Sequence, residues 1–323
     1  MKINLLGEEF AVVDTKEKIT IADSFVVPAN KIGSGHGESK LYLGNDNETT
    51  RTFFGGDKFA LHCFLLKKDL LQYLNETKVE YLNPEQPYLE SAKLPKLWIE
   101  RKQKIDSLPE KIDFTLVAQA QITGPRVYAK SSDEAYQIIR ELSLPNITFI
   151  SAVKLLNKRN HLEYYFRLFA DYFGDTVHPY ALEEEKKSLN EITDTKERAT
   201  KTRARIGQGK YREELLSQCP FCPMTMVTDD RILIASHIKP WAKSNELEQT
   251  DPYNGLMLTP TFDYLFDKGF MSFTSDKRTI LSPFLSKITY SKINLADNKI
   301  ITQLPIEGRE KYLEYHRNEI LKR

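Results

Sequence analysis

The sequence that decides the fold is RILIASHIKPW at residues 231–241, followed by NGLMLTPTFDYLFDKGFMSF at residues 254–273. The first stretch opens with apolar, β-branched residues and predicts a strand that ends at His237. The second predicts a helix that Thr259 caps and Gly269 ends. A long polar loop separates the two stretches, so we expect a histidine and a helix to be brought together by a chain reversal.

Three side chains in these stretches have the chemistry of a hydrolytic metal site. His237 ends the predicted strand, and Asp263 and Asp267 stand four residues apart, so they share one face of the predicted helix. Carboxylate oxygens suit Mg²⁺ or Mn²⁺, which neutralises charge that develops on a phosphate. A nearly neutral imidazole can take a proton from water. Each feature alone also has a structural explanation, because such residues often only pack or cap.

Together these stretches resemble the HNH family of ββα-metal nucleases, and most closely the HNH module of bacterial restriction endonucleases. The matching segments are Ala235–Trp241, Asn254–Leu258 and Asp263–Phe273, together with the preceding segment Arg205–Arg212. The resemblance covers residues 203–283. It implies an α+β protein, in which a mixed α/β N-terminal recognition domain precedes a C-terminal ββα-metal nuclease domain.

The resemblance implies a role for each matched position, with one Mg²⁺ or Mn²⁺ ion in each active site. His237 stands at the first histidine, the general base, and Asn254 stands at the asparagine that fastens the loop and helps to orient the base. Asp263 replaces the last histidine and would bind the metal. Asp267 matches a further metal ligand of some members, or alternatively ties down the helix end. Ser236 stands where many relatives have a stronger ligand, so its hydroxyl or water would complete the coordination.

Cys219 and Cys222 form one CxxC pair before the motif. In some HNH proteins two such pairs hold a structural Zn²⁺. No second pair follows here, so we expect no structural zinc and interpret both cysteines as reduced residues packed in a β-hairpin. Over the whole segment, the predicted order is strand, turn, strand, long loop and helix.

A basic stretch precedes the motif, because residues 196–212 contain seven Lys or Arg and one Glu. A charge run is often only a solvated surface. Its position beside the nuclease motif favours contacts with DNA phosphates, which position DNA without reading its sequence. Gln208 could reach a base edge or a phosphate. The residues predicted to contact DNA are Arg203, Arg205, Gln208, Lys210, Arg212, Lys239 and Lys243.

The composition bounds the remaining possibilities. A chain of 323 residues suffices for about two domains. Its 46 Lys and Arg nearly balance 45 Asp and Glu, so the global charge requires neither a nucleic-acid nor a membrane partner. No apolar run reaches the roughly 18 residues of a membrane span, and the first residues lack a signal-peptide core. We therefore expect a cytoplasmic protein without a membrane partner.

We predict two domains, a DNA-recognition and dimerisation domain at residues 1–180, and a linker helix with the nuclease domain at residues 181–323, whose core is 203–283. The linker helix is predicted at residues 183–200. The predicted elements of the first domain are strands at residues 25–27 and 114–117, and helices at residues 67–75, from Ser132, and at Leu162–Phe173.

The function implied by the resemblance is hydrolysis of phosphodiester bonds in double-stranded DNA, by a sequence-specific type II restriction enzyme. A two-fold DNA site favours a homodimer. Three alternatives stay open. The N-terminal domain could read methylated DNA in an aromatic pocket; the HNH fold could be inactive and only bind DNA; or the protein could be an RNA-directed or toxin-type nuclease.

Overall fold

The computed structural model describes residues 1–19, 40–55, 59–84, 88, 91–119, 126–144, 147–170 and 210–323. The chain divides into two compact units. The N-terminal unit comprises Met1–Phe173 with Pro283–Thr289, and the C-terminal unit comprises Gly174–Ser282 with Tyr290–Arg323. The domain boundary predicted at residue 180, the strand predicted at 25–27 and the linker helix at 183–200 lie outside the described residues.

The N-terminal unit is a mixed α/β structure around one large sheet. Its strands are β1 (Lys2–Leu5), β2 (Glu8–Ile19), β3 (Lys40–Asn45), β4 (Ala60–Leu66), β5 (Lys111–Gln119), β6 (Arg126–Lys130), β7 (Thr148–Leu156) and β8 (Leu162–Ala170). They are arranged in the order β1-β2-β7-β8-β4-β5-β6-β3, and the pairing is antiparallel except between β4 and β8.

Helices pack on this sheet through the apolar spacing that the sequence shows. The helix predicted at residues 67–75 is confirmed as Lys67–Glu76, with Leu70 and Leu74 buried. The helix expected from Ser132 begins at Glu134, with Asp133 as its N-cap. The α-helices of this unit are Glu48–Phe54, Lys67–Glu76, Lys78–Leu82, Leu94–Asp106 and Glu134–Leu142.

The helix predicted at Leu162–Phe173 was wrong. Residues Leu162–Ala170 form β8, which pairs with β7 on one side and β4 on the other. Consecutive residues of β8 are buried, so both of its faces are covered, and its sequence is largely apolar and aromatic without alternation. Such a run cannot be distinguished from a buried helix by periodicity alone.

The C-terminal unit is built on a short hairpin and the helix that follows it. Strand β9 (Ile234–His237) pairs antiparallel with β10 (Gly255–Leu258), and the helix Pro260–Asp267 follows, here named the site helix. The other elements after residue 209 are helical residues 210–218, Glu246–Thr250, β11 (Met271–Phe273), β12 (Thr279–Leu281), Lys287–Lys292, Glu310–Tyr315 and the π-helical turn His316–Ile320. None of the helices among the described residues is long and apolar enough to span a membrane.

Two local predictions before the site helix need correction. The strand predicted at Arg231–Ser236 begins only at Ile234, because Asp230–Ile232 form a 3-10 turn that the Asp229 side chain caps. The cysteines do not lie in a β-hairpin. Residues 219–228 instead fold as tight turns, in which the amide of Cys222 donates to the carbonyl of Val227 at 3.0 Å.

Candidate active site

The hairpin brings Ser236 to Asp263 of the site helix, where the two side chains share a hydrogen bond. In the β9–β10 register His237 stands opposite Gly255, and Ser236 stands opposite Leu256. The apolar face expected for the site helix is confirmed, since Phe262, Leu265 and Phe266 are buried.

The ends of the site helix were also predicted. Thr259 is its N-cap by position but makes no capping hydrogen bond with its side chain. Gly269 follows the helix with φ of 71°, in the left-handed region that glycine adopts at helix ends.

Asp263 is a buried carboxylate on the site helix, with 3% of its surface exposed. Burial raises its pKa to about 6; a hydrogen bond from Ser236 opposes this shift, the charge of Asp267 adds to it and Lys268 opposes it. Within the described part of the chain, the buried Oδ2 atom of Asp263 has no hydrogen-bond partner. The hairpin thus joins Ser236 to Asp263 and leaves one carboxylate oxygen available to a ligand.

Asp267 has a different environment, although it lies one helical turn from Asp263. Its side chain is exposed, and its Oδ2 lies 3.3 Å from Nζ of Lys268. The two carboxylates of the predicted pair are therefore one buried and one solvated group, coupled by their charges.

His237 is fixed by contacts on three sides. Its Nε2 lies 3.0 Å from the carbonyl oxygen of Gln249. The Tyr211 ring stacks on the imidazole with centroids 4.2 Å apart and planes 13° apart. The Trp241 indole meets it edge-on at 5.5 Å. Burial lowers the pKa of His237, and the hydrogen bond to Gln249 partly opposes this shift, so the imidazole is neutral at neutral pH.

The tautomer of His237 follows from its hydrogen bond to Gln249. A carbonyl oxygen only accepts, so Nε2 carries the proton and Nδ1 keeps its lone pair. No hydrogen bond among the described residues uses Nδ1. Because consecutive strand residues point to opposite faces, His237 and Ser236 leave β9 in different directions.

Asn254 is fully buried and fastens the loop between the two strands. Its Oδ1 accepts from the Lys239 amide at 2.8 Å. Its Nδ2 lies within 3.0 to 3.2 Å of the carbonyl oxygens of Lys239 and Glu248 and of the Ser244 hydroxyl. These contacts are structural, and the Asn254 backbone carbonyl adds a hydrogen bond from the Tyr211 hydroxyl at 3.0 Å.

The described residues offer a metal ion a sparse set of ligands. No group of three or more His, Cys, Asp and Glu side chains among them is arranged to hold a metal. The free Oδ2 of Asp263 nevertheless fits Mg²⁺, which commonly takes one or two protein carboxylates and completes its shell with water and substrate phosphate.

The two cysteines pack beside the start of the site helix as buried, free thiols. Sγ of Cys222 lies 3.8 Å from the hydroxyl of Thr259, and Sγ of Cys219 lies 3.3 Å from the Phe221 carbonyl. Burial raises the pKa of Cys219, so this thiol stays protonated at neutral pH.

The residues predicted to contact DNA have different environments where the structure describes them. Arg203, Arg205 and Gln208 lie outside the described residues. Lys210 and Lys243 are exposed. The other two residues, Arg212 and Lys239, bind groups within the protein.

Arg212 donates to the carbonyl oxygens of Leu233 at 2.8 Å and Asp230 at 2.6 Å. Nζ of Lys239 lies 2.6 Å from Oε2 of Glu248. Both cations thus satisfy groups in the turns around β9, which the sequence alone does not show.

Sequence reasoning gave no role to Tyr211 or Arg309. Tyr211 lies in helical residues 210–218 and contacts both His237 and Asn254. Nε of Arg309 donates to the Gly255 carbonyl at 2.9 Å. These contacts join positions far apart in the chain, so no local pattern signals them.

The comparison with known protein families matches the segment that contains the hairpin and the site helix. A comparison with curated proteins found no match. Residues 219–274, which include the hairpin and the site helix, match the model of the HNH endonuclease family. Nucleases of this family usually use a divalent metal ion. Residues 219–274 are therefore similar to HNH endonucleases, which confirms the resemblance inferred from the sequence.

Proposed function

We propose that the protein is a metal-dependent DNA endonuclease that hydrolyses phosphodiester bonds, of the sequence-specific type II restriction kind. The observation that carries this proposal is the buried Asp263 carboxylate, whose Oδ2 has no partner among the described residues. The Asp263 carboxylate accepts a hydrogen bond from Ser236, the residue before the proposed base, His237. An unsatisfied buried oxygen in a native fold requires an explanation, and a cation provides one.

His237 acts as the general base in this proposal. Its Nε2 proton is held by the Gln249 carbonyl, so Nδ1 receives the proton from the attacking water. Burial keeps the imidazole neutral, which is the form that can accept. Asn254 supports this step indirectly, because its side chain hydrogen-bonds to Lys239 at the start of the loop and to Glu248, the residue before Gln249.

Asp263 would hold the divalent ion, Mg²⁺ or Mn²⁺, with Ser236 and Asp267 as further candidates. A bound ion would stabilise negative charge on the phosphate and on the leaving oxygen. Asp263 itself contributes a carboxylate whose raised pKa falls when a cation approaches, because the cation favours the charged form. The exposed Asp267 carboxylate increases the negative potential at the same place.

The N-terminal unit, in this proposal, selects the DNA site, and a homodimer acts on a two-fold target. Lys210 and Lys243, together with the basic residues before position 210, contact phosphates. Arg212 and Lys239 contribute less to DNA binding than the sequence suggested, because carbonyl oxygens and Glu248 already occupy their donors.

The test is a plasmid digestion with Mg²⁺ or Mn²⁺, with EDTA as the metal-free control. His237→Ala is compared with His161→Ala, a matched variant at an exposed histidine of the N-terminal unit. We expect discrete bands with wild type and His161→Ala and none with His237→Ala.

Methylated and unmethylated plasmids separate the two enzyme alternatives. Cutting of methylated plasmid alone would assign the N-terminal unit to recognition of modified bases. DNA binding without cutting of either plasmid, and without Mg²⁺ or Mn²⁺ binding by calorimetry, would contradict the proposal and indicate an inactive HNH fold.

A further inference from the structure

Tyr211 stacks face to face on His237, although it precedes the segment that matches the family. Its ring is 2% exposed and lies parallel to the imidazole, 13° between planes and 4.2 Å between centroids. A parallel contact at this distance covers one whole face of the imidazole.

The Tyr211 hydroxyl ties the same ring to the second residue of the motif. It donates to the Asn254 carbonyl at 3.0 Å. Leu215, one turn later in helical residues 210–218, is fully buried and anchors the helix. The position of the ring is therefore fixed from both of its ends.

Gly255 makes this approach possible. It pairs with His237 in the hairpin, and a Cβ atom at this position would overlap the Tyr211 hydroxyl and crowd Leu215. A residue with a side chain at 255 would push the tyrosine ring away from the imidazole.

The imidazole needs such a support because it makes a single hydrogen bond to the residues that the structure describes. Rotation about the Cβ–Cγ bond of histidine is soft, and a half-turn of the ring would put Cδ2 in the place of Nδ1 and Cε1 in the place of Nε2. The Gln249 carbonyl holds one atom, and the tyrosine face resists rotation of the whole plane.

We propose that Tyr211 is a positioning residue of the nuclease site, whose ring holds the His237 imidazole in the orientation that presents Nδ1 to water. This proposal rests on the function proposed above. The ring carries the effect, since the hydroxyl only anchors the ring to the Asn254 carbonyl.

The test compares Tyr211→Leu, which removes the ring, with Tyr211→Phe, which keeps it. In plasmid cleavage with Mg²⁺ we expect Tyr211→Leu to lower kcat by about 10- to 100-fold, the size of effect that misplacement of a reacting group causes. We expect KM for DNA to stay within about threefold, because Tyr211 is buried and does not reach the substrate. Tyr211→Phe should retain kcat within about threefold.

A spectroscopic measurement tests the same contact without activity. In histidine-labelled full-length protein, ring current from Tyr211 should shift the His237 ring protons upfield, with His237→Gln identifying the signal. The shift should persist in Tyr211→Phe and disappear in Tyr211→Leu. An unchanged His237 signal in Tyr211→Leu, or equal losses of kcat in both variants, would overturn the proposal.

A second pair of variants covers the case in which Tyr211→Leu does not fold. Gly255→Ala should displace the ring and lower kcat, and Gly255→Ala with Tyr211→Phe should recover part of it, because the closest overlap is with the hydroxyl. Failure of this rescue, with both proteins folded, would contradict the proposal. If wild type cuts no DNA, the proposed function fails, and the His237 signal still decides whether the tyrosine ring holds the imidazole.

Discussion

Asp263→Asn should stabilise the metal-free protein and abolish cleavage at the same time. The wild-type carboxylate is buried, one of its oxygens has no partner among the described residues, and its pKa is raised to about 6. At neutral pH the folded protein therefore holds a charge in an unfavourable place. Asparagine has nearly the same shape without that charge, and its Oδ1 can still accept from Ser236.

The expected gain can be worked out from the pKa. A shift from 3.8 to about 6 disfavours the charged form in the folded state by roughly 3 kcal/mol. The amide N–H group that takes the place of Oδ2 is buried without an acceptor, which lowers the free energy of unfolding by roughly 1 kcal/mol. The net expectation is that the free energy of unfolding rises by about 2 kcal/mol.

The difference in stability between Asp263→Asn and wild type should depend on pH. Because the folded pKa of Asp263 is raised, the folded state binds more protons than the unfolded state between pH 3.8 and about 6. Wild-type stability thus falls across this window as pH rises. By the same figures Asp263→Asn should be less stable than wild type by about 1 kcal/mol below the window, overtake it within the window and keep a constant advantage of about 2 kcal/mol above it.

The assay is urea denaturation with EDTA, followed by Trp241 fluorescence in a Trp98→Phe background so that the C-terminal unit is reported. Asp267→Asn is the matched control, because that carboxylate is exposed, and we expect a change within about 0.5 kcal/mol. Adding Mg²⁺ should stabilise the protein with Asp263 and leave Asp263→Asn unchanged. A destabilised Asp263→Asn at pH 7.5, or a difference that does not vary with pH, would refute this reasoning.

Three further predictions concern neighbouring residues. His237→Ala should lower the rate of plasmid cleavage by about 100-fold or more in protein that urea denaturation shows to be folded, and near-normal cutting would remove it as the base. Asn254→Ala should lower the free energy of unfolding by roughly 3 to 4 kcal/mol, since its buried side chain makes four hydrogen bonds; urea denaturation against the exposed control Asn318→Ala measures this. Arg212→Ala should cost about 1 to 3 kcal/mol in the same assay and leave DNA affinity at fixed salt nearly unchanged, whereas a large loss of affinity would assign it to DNA binding.

The site helix was predictable because its signals are local. Phe262, Leu265 and Phe266 repeat at helical spacing, and Gly269 provides the left-handed residue that ends a helix. The same reasoning found the helix Lys67–Glu76 in the N-terminal unit. In these segments one face is apolar and the other polar, so periodicity identifies the structure.

Prediction failed where burial removes the contrast between faces or where a turn replaces a strand. Strand β8 is buried on both sides, so its sequence has no alternation. At Asp230–Ile232 the residues are β-branched and apolar in part, yet the Asp229 cap forms a 3-10 turn. Arg212 was interpreted as a DNA contact because charge is visible in a sequence, and the carbonyl oxygens that need its donors are not.

The geometry of the site depends on residues beyond the segment that matches the family. Before it, Tyr211 supports the imidazole of His237. After it, Arg309 donates to the Gly255 carbonyl at 2.9 Å, at the start of the strand that pairs with His237. The amide of Lys322 donates to the Gly269 carbonyl at 2.9 Å, just past the end of the site helix.

These contacts hold both ends of the segment formed by β10 and the site helix. A short hairpin and one helix bury too little apolar surface to fix a catalytic geometry by themselves. In this chain the added support is specific, since Arg309 is buried and satisfies a backbone carbonyl opposite the proposed base. The residues after position 300 therefore belong to the nuclease structure itself, because they hold in place the strand and helix that carry its proposed base and metal ligand.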